Sequence, residues 1–556
     1  MRSLLGADVL NDLEFFLSYT HSTDDTLLAA LSSDLYGRGA TEKLKERLQT
    51  PGTDVKALGE YQDRILRLRE LLDTVPDVTR AHREVRDHLQ YADWMRSQAK
   101  EIEGVDPMEV VFFKFRAFKA LGMNRVPVLL TCLNIYNVVV SPTLGVMSPV
   151  VYFLIPYGIL VRKFGLRFSF KEFLHVLWKA LIVMIQQNRT VAGVQLSSMA
   201  LSLVMYGQGV LNAGMLARDA WKVNALLHKQ MHGLFAYLRA GLRLVSLCES
   251  SDTHRRATES LRGVNYECSQ LNLGSRLRTY QHIRESSPEA YPLHVFEGVV
   301  DNLLCDMGVA MMTKGWCVAQ FEGGVCAHLQ IEGLRHPAMQ SVVPNDLFLE
   351  DRNCVITGPN AAGKSTLIKG VACNVILAQT LGFACATSYK CTPFAWISTQ
   401  INIPDCKGVE SLFQAEMHRC KTNIEHVRTL SEGEHALIVF DEIFNSTNVV
   451  EGVSAAYAIL DTLGEQNNCT TIITTHYPYL CKLPNFDRYK MNAQLDEQSH
   501  VVRFPYTLAK GVSNQYIALE MLRENFDPAI VDRAIDVKNL LLKTNRKRNK
   551  FKRKKF

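Results

Sequence analysis

Apolar positions along this chain fall into three regimes, and each predicts a different kind of structure. From residue 8 to about residue 103 they recur at three- and four-residue steps, as in Leu58, Tyr61, Ile65, Leu68 and Leu72. Arg64, Arg67, Arg69 and Glu70 lie among them. That period belongs to helices with one buried face. A charged helix starting at Thr41 should end at Thr50-Pro51-Gly52, where proline and glycine break it.

The second regime begins at residue 126. Residues 126–161 contain 36 positions without one charge, and residues 190–217 are charge-free as well. Between them, residues 173–185 are apolar apart from Lys179. Pro142, Pro149 and Pro156 argue against one continuous helix, so two helices turning at Ser141-Pro142 are expected. Residues 126–140 would make about 22 Å of helix and residues 143–161 roughly 28 Å, which suits a hairpin dipping into or across a bilayer. Lys114, Arg116, Lys119 and Arg125 precede the first stretch, and Arg162, Lys163, Arg167 and Lys171 follow it. A hairpin would bring both clusters to one membrane face. The competing expectation is a large helical core whose helices are apolar all round. Helical spacing returns over residues 221–255 and again through Val295, Val299, Leu303 and Met307.

From Val325 to about Leu541 the texture becomes short apolar runs broken by turn residues, the signature of alternating strands and helices. Within it, Cys354-Val355-Ile356 reads as a buried strand and runs into T-G-P-N-A-A-G-K-S-T at residues 357–366. Gly358, four residues, then Gly363-Lys364-Ser365 is the full P-loop spacing. Its backbone N–H groups converge on phosphate oxygens, the helix N-terminus adds its dipole, Lys364 reaches the outer phosphates and Ser365 offers a hydroxyl to Mg2+. The ATP-binding set is therefore Gly358, Pro359, Asn360, Ala361, Ala362, Gly363, Lys364, Ser365 and Thr366.

A second acidic element turns a phosphate cradle into an ATPase candidate. Residues 436–442 read A-L-I-V-F-D-E, a buried strand ending in two carboxylates. Asp441 is placed to hold Mg2+, and Glu442 to orient or deprotonate the attacking water. A third strand, residues 470–474, leads to Thr475-His476; a histidine there is either structural or in reach of the outer phosphate.

Composition refines this in two places. The 556 residues carry a formal charge of +6, but residues 543–556 alone hold nine Lys or Arg and no acid. That tail could neutralise nucleic-acid phosphates, meet anionic lipid, act as a nuclear-localisation signal or simply solubilise the chain. Fourteen cysteines with no C-x-x-C pair, behind an N-terminus that does not read as a signal peptide, predict free thiols in a reducing compartment. The expected location is intracellular, with nuclear and membrane-associated sites both open.

The order of pieces resembles one family, the MutS ATPases. The resemblance rests on L-R-H-P at 334–337, V-P-N-D at 343–346, the P-loop with its G-P-N, and S-L-F-Q-A-E-M at 411–417. Asp441-Glu442, T-T-H at 474–476 and L-A-K-G-V-S at 508–513 complete it. It covers residues 330–541 well. It implies an α/β P-loop NTPase domain of ATP-binding-cassette-like type, joined to a mainly α-helical, lever-like N-terminal region. It further implies a homodimer in which Ser411 is offered to the partner's nucleotide, His476 as a switch residue acting with Glu442 in catalysis, and DNA as the load in mismatch repair or recombination. The expected layout is a helical lever-like region at 1–110, the apolar insert at 111–220, returning lever helices at 221–325, the ATPase domain with its dimerisation helices at 326–541, and the basic tail at 542–556.

Two departures from the family pattern stand out. Phe444-Asn445-Ser446-Thr447 replaces the usual G-R-G-T after the two acids, and Ala361-Ala362-Gly363 replaces M-G-G. No mismatch-reading F-x-E module is found, and the chain is expected to be a truncated form. The apolar insert sits where the family's DNA clamp would be expected. A membrane-anchored mechanical or scaffolding ATPase without a nucleic-acid role is the alternative.

Overall fold

The computed structural model describes all residues except 1–3, 19–24, 34, 98–105, 188, 262–263, 265–272, 286–292, 325, 340, 351, 402–411, 496–501, 514–525, 539 and 541–556. The chain divides into two compact units, one made of residues 1–75 with 301–556, the other of residues 76–300.

The unit of residues 76–300 is helical. Its longest elements are α1 (Pro76–Arg96), α2 (Pro127–Ile135), α3 (Ser141–Lys163), α4 (Phe170–Gln187) and α5 (Arg189–Cys248). Helix α1 buries Val78, Ala81, Val85, Leu89 and Ala92 at three- and four-residue steps, which packs it along α5. The expected turn at Ser141-Pro142 does not form. A π-helical segment, Tyr136–Val140, links α2 to α3, and the helix runs on through Pro142. The wide π turn opens the hydrogen-bond ladder just where Pro142, without an N–H, could not have donated to it, and Pro142 sits in the first turn of α3. A further helix runs from Leu273 to Glu285.

The other unit is built on a six-stranded sheet whose strands follow the buried runs in the sequence. They are β1 (Asn353–Thr357), β2 (Phe394–Gln400), β3 (His435–Asp441), β4 (Cys469–Thr475), β5 (Phe486–Met491) and β6 (Leu508–Lys510). In space the order is β6-β5-β1-β4-β3-β2. All neighbours are parallel except β5 with β6. Strands β1 and β4 are buried along their whole length, as parallel strands covered on both faces must be. Helix α6 (Lys364–Leu381) follows the P-loop, α7 (Leu412–Thr429) follows β2, and α8 (Val449–Gly464) follows β3. From Gly370 onward every residue of α6 is buried. A four-stranded sheet of Gln320–Phe321, Ser388–Cys391, His328–Leu334 and Asn345–Glu350 flanks this core.

Residues 1–75 belong to this unit through specific contacts. Leu5 bridges Ile397 on the edge strand β2, with Gly6 N–H donating to Ile397 O and Ile397 N–H to Leu4 O. Asp12, 2% exposed, accepts from Thr399 Oγ1 at 2.8 Å and Ile401 N at 3.1 Å, and pairs with Arg419 of α7 at 3.2 Å. The helix Val55–Thr74 docks on Asp306 through Tyr61 and Arg64.

Candidate nucleotide site

Parallel strands with helices returning over both faces leave a crevice at their carboxyl ends, and the site is built there. Strand β1 ends at Thr357, β3 at Asp441 and β4 at Thr475. Strand β4 lies between β1 and β3, so the two acids are held one strand away from the P-loop. The gap is the cavity, of about 950 Å³. Asn360, Ala361, Gly363, Lys364, Ser365, Thr366, Asp441 and Glu442 all line it.

The P-loop backbone carries the strain a phosphate cradle needs. Gly363 has φ +88°, the left-handed region that glycine enters without cost, and it starts α6. A Cβ on Gly358 would come to 3.1 Å from the Cβ of Met491, so the close approach of β5 fixes glycine there. Ala361 adopts φ +65° and Ala362 does not. The substitution of alanine for glycine at 362 therefore costs no backbone strain, and its methyl is fully buried.

Lys364 is only 5% exposed at its side chain, yet fully partnered. Its ammonium donates to Gly358 O at 3.0 Å and Pro359 O at 3.2 Å, and stands 3.3 Å from Glu442 Oε1. The other Glu442 oxygen lies 2.8 Å from His476 Nε2 and accepts from Asn445 Nδ2 at 3.2 Å. Burial pushes the Glu442 carboxyl up, but His476 and Lys364 outweigh it and hold the pKa below the usual carboxylate value. Glu442 also takes φ +52°, unusual for a residue with a side chain, and its N–H donates to Thr474 O. The carboxylate is thus aimed by backbone strain as well as by its partners. Asp441 is held by the hydroxyl of Thr474 on the neighbouring strand.

The Phe444–Thr447 segment has a clear structural role. Phe444 is 1% exposed, with φ +59°, and its ring packs 5.2 Å from that of Phe413 on α7. Its N–H donates to Glu416 Oε1 at 3.2 Å, and Ser446 Oγ donates to Glu416 Oε2 at 3.4 Å. Burial raises the Glu416 pKa, an effect those two donors oppose. Glu416 of the S-x-F-x-x-E-M stretch therefore fastens α7 to the loop that carries Glu442.

Ser411 lies outside the described residues, as does the basic tail. Sequence reasoning missed part of the cavity lining, where residues of the stretch 336–343, Met491 and Tyr506 come together from distant parts of the chain. The one signal available was that 334–337, 343–346 and the stretch from 508 bracket the P-loop with family-like residues.

For Mg2+, the fit is by donor type. Ser365 and Asp441 supply one hydroxyl and one carboxylate on the cavity wall, and Thr474 fixes the carboxylate. Such a sparse protein set suits an ion that keeps most of its coordination for water and phosphate oxygens.

Residues 354–542 match the family model for MutS domain V. Over 238 residues the chain is 32% identical to the DNA mismatch repair protein MutS of Symbiobacterium thermophilum, covering 40% of this chain and 26% of that protein. It is 29% identical over 260 residues to the DNA mismatch repair protein Msh3 of Dictyostelium discoideum, covering 41% and 18%. It is also 29% identical over 221 residues to MutS of Pelotomaculum thermopropionicum, covering 38% and 25%. The chain thus matches about a quarter or less of the length of these relatives. By sequence match and site chemistry alike, residues 354–542 carry the P-loop ATPase domain of the MutS family, MutS domain V.

Proposed function

We propose that this protein is a MutS-like ATPase that binds and hydrolyses ATP as a dimer and couples the cycle to DNA. The observation that carries the reading is the meeting of Lys364, Asp441 and Glu442 at one cavity that the P-loop also lines, with His476 held to Glu442. The helical unit, residues 76–300, would serve as the lever that transmits closure and release. Ser411 would reach the partner's nucleotide and complete a composite site. The relatives' names place them in mismatch repair, which supports DNA as the load. Basic residues 543–556 add a salt-sensitive, sequence-independent contact to nucleic acid. The described cysteines are all free, in keeping with an intracellular, reducing location that includes the nucleus.

In this mechanism Lys364 leaves the Gly358 and Pro359 carbonyls and turns to the outer phosphates. Backbone N–H groups of the P-loop bind the phosphate chain. Ser365 and Asp441 would hold Mg2+, which would supply positive charge to offset that of the outer phosphate oxygens. Glu442 accepts a hydrogen bond from the water that attacks the terminal phosphorus, giving ADP and inorganic phosphate. His476 holds the Glu442 carboxylate in place.

The test is ATP turnover by the purified full-length chain, with and without DNA. DNA-stimulated hydrolysis that fades as salt rises supports the reading, and DNA-indifferent hydrolysis sinks its nucleic-acid half. The exposed apolar helices of residues 126–217 favour a second reading, a membrane-anchored mechanical ATPase, which predicts that DNA leaves the rate unchanged.

A further inference from the structure

Two stretches within the helical unit, Pro127–Ser148 and Ala200–Cys248, are long and apolar enough to cross a bilayer, and the first continues without a charge along α3 to residue 161. A core helix of a soluble protein passes the same test, but it is buried. Here the most apolar windows are 11% and 0% buried. Val146, Leu203, Met205 and Leu211 are each at least 60% exposed. Leaving so many large apolar side chains in water is costly, at about 25 cal/mol per Å².

The contacts fix how these helices are arranged. Asn224 Nδ2 donates to Asn134 Oδ1 at 2.9 Å, and Tyr206 Oη donates to Gly145 O at 3.0 Å. Moving forward along α2 and α3 therefore means moving backward along α5, so the two lie antiparallel as a two-helix arm. Tyr157 near the end of α3 packs against Phe170 and Phe173 at the start of α4, 5.3 and 5.6 Å away. Helix α4 ends two residues before α5 begins. Both ends of α4 thus belong to the far end of the arm.

This arrangement corrects the expectation that both basic clusters share one face. Arg116 and Arg125 precede the arm, and Arg218 and Lys222 on α5 sit close to the Asn134–Asn224 level. Arg162, Lys163, Arg167 and Lys171 lie at the other end. Between the two groups, residues 141–161 of α3 give about 31 Å of uncharged helix, the thickness of a bilayer's hydrocarbon core. Exposed Tyr136 and Trp221 mark the near boundary, and exposed Trp178 and Phe164 the far one. Aromatic rings at both limits of an apolar band, with basic residues just beyond, are what the two headgroup layers of a membrane select.

We infer that α3 and the charge-free start of α5 cross an anionic lipid bilayer as a two-helix arm, with α4 lying on the far side. Residues before 126 and after 217 then share one compartment, as the ATPase unit requires.

The experiment is flotation of the full-length protein with phosphatidylcholine–phosphatidylglycerol vesicles, followed by carbonate extraction at high pH. Wild type should float and resist carbonate. The double variant Leu203→Glu/Leu211→Glu replaces two exposed residues, so folding should survive, which ATP turnover checks. Each buried charge should lower vesicle-bound protein by roughly a hundredfold. Three results overturn the inference: wild type that fails to float, wild type that floats only at low salt and is stripped by carbonate, or a lipid-free oligomer that the double variant dissolves. The second would assign binding to peripheral basic residues, and the third would make another copy the cover of the apolar faces.

Discussion

Lys364 Nζ stands 3.3 Å from Glu442 Oε1, so the cation suited to the phosphates and the carboxylate suited to the water are paired with each other. Lys364 must leave Glu442 to reach the outer phosphates. Glu442→Gln keeps the shape but removes the charge that retains Lys364. Hydrolysis should fall by about 10²–10⁴-fold, the usual weight of a positioned acid–base group. ATP affinity should hold or rise. Phosphate release together with equilibrium nucleotide binding checks this; loss of binding in the variant would refute the assigned role.

His476 acts on Glu442 through the 2.8 Å contact to Oε2. Replacing it with alanine leaves the P-loop untouched but removes the partner that most strongly holds the Glu442 carboxyl down. The expected result is a drop in kcat with little change in KM, and an upward shift of the acid limb of the pH–rate profile. A pure KM effect would point to phosphate binding instead.

Much of the engine was legible in the chain because its physics is local. Val355-Ile356 and residues 436–440 read as continuous apolar runs because parallel strands are covered on both faces. The P-loop glycines announce backbone conformations that few other residues tolerate. What was hidden depends on long-range pairing. Nothing near Leu5 says that it will lie beside Ile397, and nothing near Tyr506 places it in the cavity beside Gly363. Pro142 misled in the other direction. A proline normally ends a helix, but the π turn at residues 136–140 accommodates it, and that device has no pattern to read.

Glu416 joins α7 to the loop behind Glu442, accepting from Phe444 N and Ser446 Oγ. Glu416→Ala leaves a buried N–H and a hydroxyl without their acceptor, at about 1–3 kcal/mol. Thermal unfolding should register that loss. Since the same loop aims Glu442 and Asn445, turnover should fall further than stability alone explains. Glu416→Gln, which keeps an acceptor for one donor, should recover part of both.

Asp12 is a second fastening, between the N-terminal segment and the ATPase sheet. It is buried with Arg419 and takes hydrogen bonds from Thr399 and Ile401. Arg419 keeps Asp8 as a second carboxylate partner at 3.0 Å, so Asp12→Ala mainly strands the Thr399 hydroxyl and the Ile401 N–H and should cost about 1–3 kcal/mol. Asp12→Asn should cost less. Denaturant titration of the full-length chain separates the two.

His336 supplies a pH dependence whose sign can be worked out. Burial, with Lys369 adding to it and Glu14 opposing, lowers its pKa from 6.5 to about 4. The unfolded chain therefore binds more protons than the folded one between pH 6.5 and 4, and stability drops as pH falls through that window. Each pKa unit is worth about 1.4 kcal/mol, so the loss at pH 5 is roughly 2 kcal/mol. His82 in the helical unit, lowered to about 4 by burial and Arg86, behaves the same way. His336→Asn should remove only its own share. Melting curves from pH 7.5 to 5 should show a shallower slope for the transition of the ATPase unit in this variant, and an unchanged slope would mean His336 does not stay neutral in the fold.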